Sequence, residues 1–366
     1  MATLFQALGI GIPLVKSLEV QMKRIYRAMQ VTSPGTLELV ERAIPTPGAG
    51  EVLIEVDACG ICGADAKDIE GPDTNGRLPR VPGHEVVGRI ASIGRGTPGR
   101  WKIGQRVGVG RLGGHCNECD PCRSGQFQLC TNQPVVGVTC DGGYAEMMIA
   151  RNTGLVSIPD ELTAEEAAPI LCAGLATFNA LKKCGAEAGD VVAIIGIGGL
   201  GHMALQYARK MGFKVIAVGR GDDIADDARS LGAYDYINAA KENAVERLQS
   251  LGGAKAVVST IGDLQMVSAL MPGIAAQGRL VVLGIGKDPL TVSSGSLVGG
   301  ERSVLGSITG SPFENEKTLD FSVLVGVRPL FETMPFEQAT RAFEKMKSGD
   351  VKFRVVLTME KNDASQ

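Results

Sequence analysis

A chain of 366 residues exceeds one ordinary core of roughly 100 to 200 residues, so about two domains are expected. Its 40 acidic and 37 basic residues leave a net charge of -3, which offers no basic field to attract nucleic acid. No run of about 18 consecutive uncharged apolar residues reads as a membrane span.

Residues Ala2 to Val15 have the apolar character of a weak signal-peptide core. No basic residue precedes them and no small-residue cleavage site follows, so residues 1–25 are read as a peripheral N-terminal extension. From Arg27 to about Ile158, short apolar segments are broken by Gly and Pro. The segments Gly50–Val56, Val86–Ile90 and Gly104–Val109 predict strands of an antiparallel, barrel-like domain. Past Glu161 the pattern changes to helical stretches between short buried strands, at Val191–Ile195, Val215–Val218, Ala256–Val258 and Leu280–Leu283. Continuous apolar strands alternating with helices predict a parallel sheet covered on both faces. A helix over Pro335–Ser348, a last strand near Phe353–Leu357 and a polar tail complete the chain.

Cys116, Cys119, Cys122 and Cys130 lie within fifteen residues on a loop rich in turn-forming residues. Four thiolates at such spacing suit a closed tetrahedral zinc site of structural role; an iron-sulfur site or free thiols are the alternatives. Nine cysteines, odd in number and bunched, favour metal over a disulfide framework and with it a reducing, cytoplasmic compartment.

Gly196-Ile197-Gly198-Gly199-Leu200-Gly201 follows a predicted buried strand and opens a helix. That context makes the glycine pattern a dinucleotide-binding turn, with the helix N-terminus receiving a pyrophosphate. The next strand ends in Gly219-Arg220, where an acid would otherwise accept the adenosine ribose hydroxyls. A missing acid beside a cation favours NADP(H) over NAD(H), although Asp222 and Asp223 lie close enough to keep NAD(H) open.

Cys62, His84 and Cys172 are scattered and weak by spacing alone. Together with the four-cysteine loop and the glycine-rich turn, from about residue 26 onward, the chain resembles the zinc-dependent alcohol dehydrogenases of the medium-chain dehydrogenase/reductase family. The resemblance implies a GroES-like β-barrel catalytic domain plus a Rossmann nucleotide-binding domain. The expected division is 26–172 and 312–366 for the catalytic unit and 173–311 for the nucleotide-binding unit. It also implies a second zinc, catalytic, on Cys62, His84 and Cys172, with an open fourth position. Asp65 and Glu85 match carboxylates that orient the histidine and lie behind the metal. Leu200 matches a residue packing behind the nicotinamide, and Arg354 one that meets the pyrophosphate. Small-molecule alcohols, aldehydes or ketones are the implied substrates, and a homodimer or homotetramer the implied assembly.

The family pattern breaks where a proton relay should begin. Ala64 stands in place of Ser or Thr, Lys67 in place of His, and Gly63 in place of a residue that touches the pyrophosphate. A conjugate (1,4) reductase of an unsaturated carbonyl or iminium is therefore the alternative activity, and a zinc-bearing non-catalytic protein the remaining one. Arg111 occupies a position where similar enzymes place an aromatic of the alcohol pocket. Its guanidinium there suits an acidic or polyoxygenated substrate, or else turns to pair with a surface acid. Cys59, Cys140 and Cys184 are assigned to packing, and the sequence identifies no partner for His115 or His202.

Overall fold

The computed structural model describes residues 25–73 and 77–360; the N-terminal extension expected over residues 1–25 lies almost wholly outside them, as does the end of the polar tail. The chain builds two large sheets. The first has seven strands, with Phe331–Pro335, Arg354–Thr358, Glu51–Ile61, Val86–Ile93, Arg106–Val109 and Leu155–Ser157 in spatial order and Met147–Arg151 also pairing with Glu51–Ile61. All its pairs are antiparallel except Phe331–Pro335 with Arg354–Thr358. A separate hairpin, Ile25–Ser33 with Thr36–Ala43, packs through Tyr26, Met29 and Val31 into the same core. The long strand Glu51–Ile61 is buried along most of its length because it is paired on both edges.

The second sheet has six strands, all parallel, in the order Asp235–Asn238, Lys214–Gly219, Val191–Ile195, Ala254–Ser259, Ile274–Val282 and Ser303–Gly306. This is the doubly wound order in which the strand order reverses beside the first strand, leaving a crevice at the carboxyl ends of the strands. Its central strands, Val191–Ile195 and Lys214–Gly219, are buried on both faces, as their uninterrupted apolar runs require.

The segment between the sheets carries unusual backbone. Thr163 and Glu166 form a reciprocal capping box that starts the helix Ala164–Pro169. The next turn, Ile170–Gly174, widens to π-helical hydrogen bonding before Leu175–Lys183 continues as regular helix. Such bulges recur at functional sites; this one carries Cys172. Near the C-terminus, the helix expected over Pro335–Ser348 begins later: Pro335 ends a strand, Phe336–Gln338 forms a 3-10 turn and the α-helix runs Ala339–Ser348. Among the described residues no helix is long and apolar enough to cross a membrane.

Candidate active site

The strand Glu51–Ile61 delivers Cys62 at its end, and the helix Asp65–Glu70 starts at once. Asp65 fixes this corner. Its Oδ2 accepts the Cys62 backbone N–H at 2.9 Å and the Tyr144 hydroxyl at 3.0 Å, while Oδ1 lies 2.8 Å from His84 Nδ1. All of Asp65 and His84 is buried. With Nδ1 directed at a carboxylate, the second imidazole nitrogen is turned the other way, and Nε2 is a buried atom without a hydrogen-bond partner. Cys62 and Cys172 place their sulfurs 3.9 Å apart, and Cys62, His84, Glu85 and Cys172 bring one donor atom each within 4.8 Å of one another.

The spacing has a direct meaning. Tetrahedral zinc with Zn–S bonds of about 2.3 Å sets its sulfurs about 3.8 Å apart, whereas a disulfide would bring them to about 2.0 Å. Two sulfurs at that separation and an imidazole nitrogen without a partner fit a zinc ion. The field agrees: Cys172 lowers the Cys62 thiol well below its usual pKa against the effect of burial, with His84 and Arg354 adding to it. Burial alone would keep His84 neutral, yet Asp65 and Cys62 raise it well above the ordinary imidazole value. The site attracts positive charge.

Glu85 passes behind this set. Gly60 is required there, since a Cβ on it would stand 2.0 Å from Glu85 Oε2. The Glu85 carboxylate accepts both its hydrogen bonds from the Arg354 guanidinium, and both residues are buried. Arg354 also borders the glycine-rich turn, where a Cβ on Gly199 would lie 3.1 Å from its Nη1. The two residues expected at separate places, one behind the metal and one at the pyrophosphate, are thus a single buried ion pair joining them.

The turn itself follows Val191–Ile195 and precedes the helix Gly201–Lys210. Gly196 has φ +87°, and a Cβ there would lie 2.3 Å from Ile261; only glycine fits. Gly198 has nothing within 4 Å of its missing Cβ, so its backbone is open for the close approach of a phosphate. A cleft of about 750 Å³ runs past Gly63, Gly198, Leu200, Asp223, Lys352 and Arg354, connecting the corner next to Cys62 with the end of the strand Lys214–Gly219. At that end, Gly219 faces Tyr236, whose hydroxyl donates to Gly221 O; a Cβ on Gly219 would meet that hydroxyl at 2.5 Å. Arg220 is exposed. Asp222 is held by Lys241 and by Asn238 Nδ2 at 2.7 Å, which occupies one of the two acids that kept NAD(H) open.

His202, without a partner at the sequence level, has three. It stacks on Phe353 with centroids 4.9 Å apart, lies 3.3 Å from Gly198 O through Nδ1, and accepts the Leu330 N–H through Nε2 at 3.3 Å. It therefore ties the first turn of the cofactor helix to the C-terminal part of the chain.

The four-cysteine loop closes on itself. Sulfur separations are 3.6 Å for Cys116 and Cys130, 3.9 Å for Cys119 and Cys130, and 4.0 Å for Cys116 and Cys122, again the edge lengths of a zinc tetrahedron. The backbone N–H groups of Glu118 and Cys119 point at Cys116 Sγ, and that of Asn132 at Cys130 Sγ, and backbone N–H groups hold the Cys119 thiol down to about 6. These donors stabilise thiolates.

Ala64 sits exposed at the start of the helix Asp65–Glu70, and Lys67 is exposed one turn on. Arg111 turns to an acid, as the sequence allowed, but to a buried one beside the site: Asp68 accepts from Nη1 at 2.7 Å and Nη2 at 3.1 Å. Asp68, Tyr144 and Tyr236 are site residues that no local motif announces.

Comparison with known proteins identifies the family. Residues 48–160 match the alcohol dehydrogenase GroES-like domain and residues 199–323 the zinc-binding dehydrogenase domain. The chain is similar to alcohol dehydrogenase patD of Penicillium expansum, with 41% identity over 88% of this chain and 94% of the relative. It is also similar to the structure of acetophenone reductase from Geotrichum candidum in complex with NAD, with TM-score 0.81 and 27% identity over 92% of this chain and 98% of that one. The structure of CAD from Helicobacter pylori complexed with NADP(H) gives TM-score 0.81 and 26% identity over 93% and 99%. The chain belongs to the zinc-dependent alcohol dehydrogenases of the medium-chain dehydrogenase/reductase family, and is a zinc- and nicotinamide-dependent oxidoreductase of alcohols or aldehydes.

Proposed function

We propose a two-zinc, NADP(H)-preferring alcohol dehydrogenase that acts on a small-molecule alcohol or aldehyde. The observation that carries the reading is the pair of sulfurs at 3.9 Å beside the unpartnered His84 Nε2, with the residues flanking Cys62, Ile61 and Gly63, bordering a cleft that reaches the glycine-rich turn. Cys62, His84 and Cys172 would hold the catalytic zinc, and Cys116, Cys119, Cys122 and Cys130 the structural one. When bound, zinc supplies a Lewis acid to the substrate oxygen and nicotinamide supplies the hydride acceptor or donor.

The chain's own residues do the positioning. Asp65, 2.8 Å from His84 Nδ1, orients the imidazole so that Nε2 would be the ligating atom. Arg354 compensates Glu85 and borders the turn that takes the pyrophosphate, so the charge behind the metal and the cofactor cradle are set by one contact. Leu200 lines the cleft where the nicotinamide would pack, and the strand end at Gly219 carries no acid to repel a 2'-phosphate while Arg220 beside it supplies an exposed cation. Without a hydroxyl at Ala64, the alcohol proton leaves through water instead of a side chain. The catalytic unit comprises residues 26–172 and 312–366, and the nucleotide-binding unit residues 173–311. A cytoplasmic homodimer or homotetramer completes the reading.

A panel of simple alcohols, aldehydes and conjugated enals, assayed with NADPH and NADH and analysed by product identity, tests it. Carbonyl reduction with NADPH favoured over NADH supports the reading; reduction confined to the conjugated carbon-carbon bond, or an NADH preference, contradicts it.

A further inference from the structure

Beside the sulfur and imidazole set lies a second polar group of residues that hydride transfer does not use. Val86 pairs with Val109, and this register carries Arg111, two residues on, back alongside His84, with Nη1 3.2 Å from Nδ1. Asp68 takes the guanidinium at two points, yet two contacts use only part of its five N–H donors. The Arg111 side chain keeps 24% of its surface, whereas Asp68 keeps 5%. Arg111 also borders a cavity of about 10 Å³ whose walls include Leu171, Gly310, Pro312 and Asn315. That volume admits one water-sized group. Asn315 is 2% exposed; its Nδ2 donates to Leu171 O at 3.2 Å, and its Oδ1 is buried without a partner. Leu171 immediately precedes Cys172, so this cavity adjoins the metal-ligating turn.

The chemistry of these groups is selective. Arg111 compensated by Asp68 offers N–H donors without net charge, and Asn315 Oδ1 needs a donor. A carboxylate only accepts, so it would leave Asn315 Oδ1 without a donor, and the Arg111 charge it would seek is already compensated by Asp68. A methylene group neither donates nor accepts, so it would strip water from polar groups and return nothing. A hydroxyl does both. We propose that Arg111, Asp68 and Asn315 form a hydroxyl-binding subsite beside the metal pocket, and that the preferred substrate is a neutral alcohol or aldehyde with a second oxygen a few carbons from the reacting one. This rests on the dehydrogenase reading above and narrows its substrate class.

The test is oxidation of a four-carbon series: 1-butanol, 1,2-, 1,3- and 1,4-butanediol, and 4-hydroxybutanoate. At least one diol is expected to exceed 1-butanol in kcat/KM by about tenfold or more, a modest share of the discrimination that hydrogen-bonding sites achieve, and 4-hydroxybutanoate is expected to be the poorest. Because Arg111→Leu alone would leave Asp68 buried and unpaired, the variants are Arg111→Gln/Asp68→Asn, which removes both charges, and Asn315→Leu. In each, the best diol should fall to within about threefold of 1-butanol, chiefly through KM, at unchanged zinc content. A diol-to-butanol ratio near one in the wild type, a ratio that survives both variants, or a preference for 4-hydroxybutanoate overturns the subsite while leaving the dehydrogenase reading intact. Failure of the whole series, and of simple aldehydes, with either cofactor overturns both.

Discussion

Replacing His202 by Gln should flatten the acid side of the protein's stability profile. His202 is buried between Gly198, Leu330 and Phe353, and burial, with Arg354 nearby, pushes its pKa down to about 3. In the unfolded chain the same imidazole titrates near 6.5. Between these values the unfolded state binds a proton that the native state refuses, so stability is complete above pH 6.5 and is lost as pH falls toward 3. One pKa unit is worth about 1.4 kcal/mol, so the loss due to His202 amounts to about 2 kcal/mol at pH 5 and about 3 kcal/mol at pH 4. Gln does not titrate and can still accept the Leu330 N–H. Urea unfolding of wild type and His202→Gln at pH 5, 6 and 7.5 measures the difference. The variant should be equal or slightly weaker at pH 7.5 and should gain about 2 kcal/mol relative to wild type at pH 5. A difference that does not change with pH would show that His202 is not held neutral at this contact.

Arg354→Met should cost about 3 to 5 kcal/mol, the usual penalty for leaving one member of a buried ion pair alone, and raise KM for NADPH. Arg354→Met/Glu85→Gln should recover part of the stability, and a purely additive pair would contradict the link between metal site and cofactor turn. Gly219→Asp confronts the Tyr236 hydroxyl, so it is best made with Tyr236→Phe. The double variant should lower the NADPH to NADH ratio of kcat/KM at least about tenfold by setting a carboxylate against the 2'-phosphate, and an unchanged ratio would place the phosphate elsewhere. Ala64→Ser should raise simple alcohol oxidation relative to any conjugate reduction, within the range of about 100- to 10,000-fold spanned by general acid-base assistance; an unchanged ratio of the two activities would mean that another proton path already suffices.

The sequence was most legible where the chemistry is local. The four-cysteine loop carries its whole ligand set in fifteen residues, and the glycine-rich turn sits between a buried strand and a helix that are both readable from apolar pattern. Cys62, His84 and Cys172 needed the family resemblance, because the contact between Cys62 and Cys172 spans 110 residues and depends on a π-helical turn that no residue pattern specifies. The Arg111–Asp68 pair depends on strand register: 43 residues separate the partners, and an acid on a short helix ordinarily faces solvent. His202 reaches Leu330 across 128 residues, and the Asn315 amide matters only because the helix Pro312–Val325, unread in the sequence, packs against the turn carrying Leu171. Tyr236 was silent for another reason, since its effect falls on a glycine whose missing side chain is the feature that matters.

Metal analysis joined to turnover tests the account most directly. Elemental analysis should find two zinc ions per chain in the active wild type, one in Cys62→Ala with alcohol oxidation abolished and the fold retained, and one in Cys119→Ala with stability reduced. Wild type that turns over an alcohol without zinc, or Cys62→Ala that keeps both metal equivalents and its activity, would contradict it.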